Sequence, residues 1–208
     1  MYGVVKSEVS IMNKIEIIKK MLEENGGKIT TKMLAEKGIH RQYLKQLADE
    51  GKVECVARGV YIDTCKTCSD YYALSEQFKS GIFSHNAALY IYDLTDRTPF
   101  ILDMTFPSSI RVSNMSKYLV NVHYINKERF ELGLTTKKMW DGSIIRVYDL
   151  ERTICDIIRD RNKIDSQIFN TALKEYMKRK DKNLNLLYEY AKQFKILKIV
   201  KMYLEVLG

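Results

Sequence analysis

Apolar and polar positions in the first third of the chain recur with a helical period. In residues 14–24, KIEIIKKMLEE, Ile15, Ile18 and Leu22 share one face, with Ile17 and Met21 widening it. Asn25-Gly26-Gly27 then stops the helix. Ile29-Thr30-Thr31 leads into a short second helix whose apolar residues are Met33 and Leu34. Thr30 or Thr31 suits its N-cap, and Gly38 the position just past its end. A third helix is expected from His40. Leu44, Leu47 and Ala48 form its buried stripe, which places Gln42, Lys45, Gln46 and Asp49 on the opposite face and Arg41 at the edge. After Gly51, KVECVA and VYI are β-favouring runs separated by Arg58-Gly59, a tight hairpin. Helix, helix, turn, helix and hairpin make a winged helix-turn-helix, expected over residues 12–64.

Beyond residue 64 the pattern changes. DYYALSEQFKSG predicts a helix aligning Tyr71, Leu74 and Phe78, and SHNAALYIYDL a second short helix capped by Ser84. Strand-like runs follow at 100–106, 118–125 and 143–149, the last behind the hairpin signal Asp141-Gly142, with ERFELGL bridging the set. From Asp149, a natural N-cap, the chain reads as helix almost to its end. Leu150, Ile154, Ile157 and Ile158 face inward first, then Ile168, Phe169, Ala172, Leu173 and Tyr176, and two more helices are expected near 183–194 and 196–207. Strands followed by helices predict an α+β domain over 65–208, and an α+β class for the whole chain.

Composition is consistent with this picture. Of 208 residues, 46% are hydrophobic and 11% aromatic, enough for a core in each part. The two prolines, Pro99 and Pro107, leave no Pro-rich linker, and no solenoid repeat or low-complexity tract is visible. No apolar run approaches the roughly 18 residues of a membrane helix. Of the cysteines, Cys55, Cys65, Cys68 and Cys155, only Cys65 and Cys68 are close, and no signal peptide precedes them. A reduced cytoplasmic protein that does not engage a membrane is the expectation. The first ten residues, which precede a second Met at position 12, carry no functional reading.

Charge narrows the partners. The net of +8 favours an acidic partner such as nucleic acid. Its distribution is uneven: residues 1–63 carry 11 basic and 9 acidic side chains, whereas 174–201 carry nine basic and three acidic. On the third helix, Arg41, Gln42, Lys45 and Gln46 have the chemistry that reads base edges in the major groove, Arg at guanine and Gln at adenine. Arg58 at the wing tip can reach a phosphate or the minor groove. Lys192, Lys195 and Lys198 recur at helical spacing and suit DNA phosphates or an acidic partner. The lysine set can equally be a solvated face; the third-helix set can also be one, though DNA reading is favoured there, and winged helices also serve as protein-binding modules.

Catalytic patterns are missing from the sequence. Cys65-x-x-Cys68 is half a zinc site without its other half, and His40, His85 and His123 are scattered without ligand spacing. No GxGxxG, GxxxxGK[ST], HExxH or GxSxG occurs. Asp93, Asp96 and Asp103 lack the following carboxylate-x-Lys of a nuclease. Glu151-Arg152-Thr153-x-x-Asp156 looks catalytic, but Arg152 with Asp156 and Asp156 with Arg159 fall at i,i+4 and i,i+3, the spacing of an ion-pair ladder. Cys155 belongs to a buried face. No enzyme activity, cofactor or metal is expected.

Several stretches together, GIHRQYLKQLADEGKV, RGVYI, SHNAALYIYDLTDRTP, LGL and VYDLERTICDIIRDR, resemble the AbiEi family, the antitoxins of type IV abortive-infection toxin–antitoxin systems of phage defence. The resemblance runs from about Ile15 to the C-terminus. It implies a winged helix that binds double-stranded DNA at inverted repeats of its own promoter as a transcriptional repressor. It also implies a C-terminal domain that neutralises a cognate nucleotidyltransferase-like toxin without needing a stable complex, and that assists DNA binding. A monomer in solution with cooperative binding on DNA is compatible with this. The alternative is a ligand- or thiol-responsive winged-helix regulator with no toxin, and a nuclease guided by the winged helix stands third.

Overall fold

The computed structural model describes residues 2–66, 69–112 and 118–207. The chain forms two compact units, one running to Lys79 and taking in Lys138–Ile144, the other comprising Ser80–Lys137 and Ile145 onward. The first unit therefore runs past residue 64 and reclaims a distant segment.

Its elements are α1 (Tyr2–Glu24), β1 (Lys28–Thr30), α2 (Thr31–Glu36), α3 (Gln42–Asp49), β2 (Val53–Ala57), β3 (Val60–Asp63) and α4 (Asp70–Gln77). Ile18, Leu22, Ile29, Leu34, Leu44, Leu47 and Val53 pack into one core, each no more than 5% exposed. Ile17, expected to widen the α1 face, stays 40% exposed, so the buried stripe is Ile18, Met21 and Leu22. Thr30 caps α2, its hydroxyl accepting from Met33 N at 3.2 Å. Gly38 (φ +66) follows the end of α2 in the left-handed conformation that glycine adopts at least cost. Two local features differ from the sequence pattern. Helix α3 starts at Gln42 rather than His40: Arg41 is its N-cap, and His40, just before it, accepts from Gln42 N through Nδ1 at 3.3 Å. Tyr43 is buried beside Leu44 and Leu47, while Ala48 is half-buried. The wing is a three-stranded antiparallel sheet of order β1-β3-β2, with a bulge between Cys55 and Ala57. In this unit Asp141, its side chain 2% exposed, accepts from Lys28 Nζ (3.0 Å) and Ser69 N (3.1 Å), anchoring the 138–144 segment. Its carboxyl is subject to burial, which raises its pKa, but hydrogen bonds from Ser143, Ser69 and Lys28 outweigh this and hold it at about 2.

The second unit contains β4 (Ile82–Phe83), α5 (His85–Ile91), β5 (Leu102–Pro107), β6 (Val120–Ile125), α6 (Lys127–Phe130), β7 (Leu134–Lys138) and β8 (Ile144–Tyr148), followed by α7 (Leu150–Arg159), α8 (Ser166–Lys178), α9 (Leu184–Gln193) and α10 (Leu197–Leu207). The five strands order as β6-β5-β4-β8-β7, with β4 antiparallel to β5 and parallel to β8, and β5 parallel to β6. Ser84 occupies the N-cap of α5 but makes no cap bond, because its hydroxyl is committed to His85 and Thr105.

Asp149 caps α7, accepting from Arg152 N at 2.7 Å, and takes a second bond from the Tyr190 hydroxyl at 2.8 Å. The ion-pair ladder expected on α7 is present, but it is buried. Arg152 and Asp156, both 0% exposed, meet at 3.0 Å, and Arg159 reaches Asp156 at 3.0 Å. Arg152 Nη1 also donates to the carbonyls of Arg129 and Leu132 at 2.8 and 2.9 Å. Its guanidinium lies 4.1 Å from the Tyr148 ring centroid and 4.4 Å from that of Phe194. Glu151 accepts from Asn183 N at 2.7 Å, tying α7 to the start of α9. The stretch that resembles a catalytic signature is thus the internal brace of this unit. Cys155 lies in the core, its thiol pushed up to about 12 by burial.

Candidate functional site

Helix α3 presents Arg41, Gln42, Lys45 and Gln46 to solvent, since Tyr43, Leu44 and Leu47 take the inward face. The wing turn shares a cleft with the N-terminal end of this helix, and two hydrogen bonds tie the turn to the start of α2 and the end of α4. Thr31 N donates to Gly59 O at 2.8 Å, and Arg58 N donates to Gln77 Oε1 at 2.9 Å. Gly59 (φ +75) allows the approach, because a Cβ there would lie 2.7 Å from Thr31 Oγ1. The exposed Arg58 side chain is therefore carried on a turn held from both sides.

Between the helix and the wing lies a cleft of about 550 Å³. Arg41, Gln42, Lys45 and Arg58 line it, with Thr31, His40 and Tyr61 completing its walls. Two arginines and a lysine converge with a glutamine amide, and among the described residues no carboxylate lines the cleft. Such a surface attracts phosphate and can donate to base-edge acceptors, but it holds no nucleophile paired with a base. Burial pushes the Tyr61 hydroxyl up, so it remains a neutral donor there. Gln46 does not join the cleft. Its amide donates to Glu50 Oε1 at 3.0 Å, and Lys52 and Gln46 together hold the Glu50 carboxyl below its usual range. His40 and Tyr61 were not legible as cleft residues, because one lies in a turn and the other reads as an ordinary strand position.

The remaining sequence candidates lie in the second unit or outside the cleft. Lys192 lies in the last turn of α9, Lys195 sits in the connecting turn at φ +59, and Lys198 lies in the first turn of α10. All three are exposed, but they form a corner between two helices rather than a stripe on one. Cys65 is exposed, and Cys68 lies outside the described residues. His85 and His123, scattered in sequence, are brought together with their rings stacked 3.7 Å apart, whereas His40 stays apart, just before α3. Among the described residues, no helix is long and apolar enough to cross a membrane.

A helix-turn-helix with a three-stranded wing and a cationic cleft defines the first unit as a winged helix. Residues 16–62 match the family model described as a transcriptional regulator, AbiEi antitoxin. The motifs of residues 84–161 lie outside the matched segment. Among solved structures, the fold is similar to the RV2827C protein from Mycobacterium tuberculosis, with a TM-score of 0.61 and 12% identity, covering 85% of this chain and 70% of that one. At that identity the likeness is one of fold. No curated protein matches the chain.

Proposed function

We propose that this chain is the antitoxin and autorepressor of a type IV toxin–antitoxin operon. The cleft that gathers Arg41, Gln42, Lys45 and Arg58 carries the reading. In it, α3 enters the major groove, Arg41 and Gln42 address guanine and adenine edges, and Arg58 takes a phosphate or the adjacent minor groove. Two copies on inverted repeats repress the promoter. The domain over residues 65–208 neutralises a nucleotidyltransferase-like toxin without requiring a stable complex, and no catalytic step is assigned to this chain. Co-expression with the adjacent nucleotidyltransferase-like gene, together with a reporter on the shared promoter, tests both roles. The expected outcome is restored growth and a silenced reporter. Repression without restored growth would reject the antitoxin role and favour a regulator without a toxin.

The lysine corner adds a salt-dependent contribution in this reading. Residues 1–63 carry an excess of only two positive charges, whereas 174–201 carry six. Each lost phosphate contact shallows the slope of log K against log salt by roughly 0.9, without changing base choice. Replacing Lys192, Lys195 and Lys198 with Gln should weaken operator and random DNA by similar factors and flatten the slope. Operator preference should survive. Unchanged binding and slope would remove this corner from the interface.

A further inference from the structure

We propose that His85, His123 and Asp160 form a binding site for a divalent first-row transition metal ion of the zinc class. The three residues come from the start of α5, from β6 and from the end of α7. Each offers one ligand atom, and these atoms all lie within 4.8 Å of one another. Asp160 Oδ2 is 3.2 Å from His85 Nε2 and 3.9 Å from His123 Nδ1. An ion with bonds of about 2.0–2.1 Å in tetrahedral geometry spaces its ligand atoms roughly 3.3–3.4 Å apart. Two imidazoles and one carboxylate are a borderline donor set, which favours zinc-like ions over the all-oxygen coordination of Mg²⁺ or Ca²⁺.

The far side of each ring is already held. His123 Nε2 lies 2.7 Å from Asp103 Oδ1, a buried carboxylate that also accepts from Asn121 Nδ2 at 2.7 Å. With its proton directed at Asp103, His123 turns the Nδ1 lone pair toward Asp160. This is the carboxylate–histidine arrangement that orients metal ligands from behind. His85 Nδ1 lies 3.0 Å from Ser84 Oγ, which accepts from Thr105 Oγ1 at 2.8 Å, so an Nδ1–H tautomer leaves Nε2 available as a donor to an ion. In these tautomers two ring lone pairs and one carboxylate oxygen converge on a point that a cation can occupy. His85 is 2% exposed and fixed, whereas the His123 and Asp160 side chains are 20% and 18% exposed and provide the entry path. The rings stack within 13° of parallel, so closing on one ion requires His123, the more exposed ring, to tilt. Arg159 and Lys163 also approach Asp160, at 3.9 and 3.8 Å. Lys163, with 79% of its side chain exposed, can withdraw, while Arg159 is also paired with Asp156.

The test is a calorimetric titration with Zn²⁺ of the full-length Cys65→Ser/Cys68→Ser protein, in which the two closely spaced thiols no longer compete for the ion. Co²⁺ absorption and imidazole NMR accompany it. One ion per chain is expected, with Co²⁺ ligand-field bands and perturbed His85 and His123 ring signals. His123→Gln and Asp160→Asn should each weaken binding by at least about 10-fold, and Asp103→Asn, which removes the positioning carboxylate, by roughly 10- to 100-fold. Circular dichroism of all three variants should match that of the parent. No stoichiometric binding, or binding that His123→Gln and Asp160→Asn both leave unchanged, would overturn the site.

Discussion

Arg152→Ala is expected to destabilise the second unit by about 3–5 kcal/mol, the cost of removing one member of a buried ion pair. Arg152 is 0% exposed, pairs with a fully buried Asp156, satisfies two main-chain carbonyls and sits between the rings of Tyr148 and Phe194. Truncation leaves the carbonyls of Arg129 and Leu132 without this donor and opens a cavity the size of a guanidinium beside two aromatic rings. Asp156 would keep only Arg159, which approaches its other oxygen at 3.0 Å. Such a loss is comparable to a large fraction of a domain's net stability. Urea denaturation followed by near-ultraviolet circular dichroism measures it. The double variant Arg152→Met/Asp156→Leu, which removes both charges and retains apolar volume, should recover much of the loss. If Arg152→Ala shifted the midpoint no more than a surface substitution, the brace would have no energetic weight.

This residue also shows where sequence reading ends. The i,i+4 spacing of Arg152 and Asp156 identified an ion pair, yet nothing local distinguished a solvated ladder from a buried brace. Burial is decided by Tyr148, Phe194 and the carbonyls of Arg129 and Leu132, which lie in other elements. The long amphipathic helices were legible because their periods persist over two or more turns, as for Leu150, Ile154, Ile157 and Ile158 in α7. Strands β1 and β4, three and two residues long, are too short to display an alternation. The wing therefore read as a hairpin, although Lys28–Thr30 pairs with β3 as a third strand.

The candidate sites divide in the same way. Arg41, Gln42 and Lys45 were legible because helical rotation alone places them opposite Leu44 and Leu47. Gln46 satisfied the same rotation, yet its amide is taken by Glu50 one turn on. The histidine cluster could not be anticipated. His85 and Asp160 are separated by 75 positions, and the β6-β5-β4 strand order, with Thr105 opposite His123, is what brings Ser84, Asp103 and His123 side by side.

Loss of sequence discrimination on removal of the α3 side chains is the second large effect expected. Arg41 and Gln42 stand at the entry of α3, both exposed and both lining the cleft that the wing closes with Arg58. An arginine or glutamine bonded to a base edge contributes about 1–3 kcal/mol of discrimination at its position, roughly 5- to 150-fold in relative affinity. Neither residue belongs to the hydrophobic core, so Arg41→Ala and Gln42→Ala should leave the fold intact. The decisive measurement is the affinity of the parent, of each variant and of the double variant for the native promoter repeat and for scrambled DNA at one fixed salt concentration. The account predicts that each substitution lowers the operator-to-scrambled ratio by about 1–3 kcal/mol and that the double variant binds both DNAs nearly alike, through its remaining phosphate contacts. Wild-type discrimination in the double variant would contradict the account and show that α3 is not the helix that reads DNA.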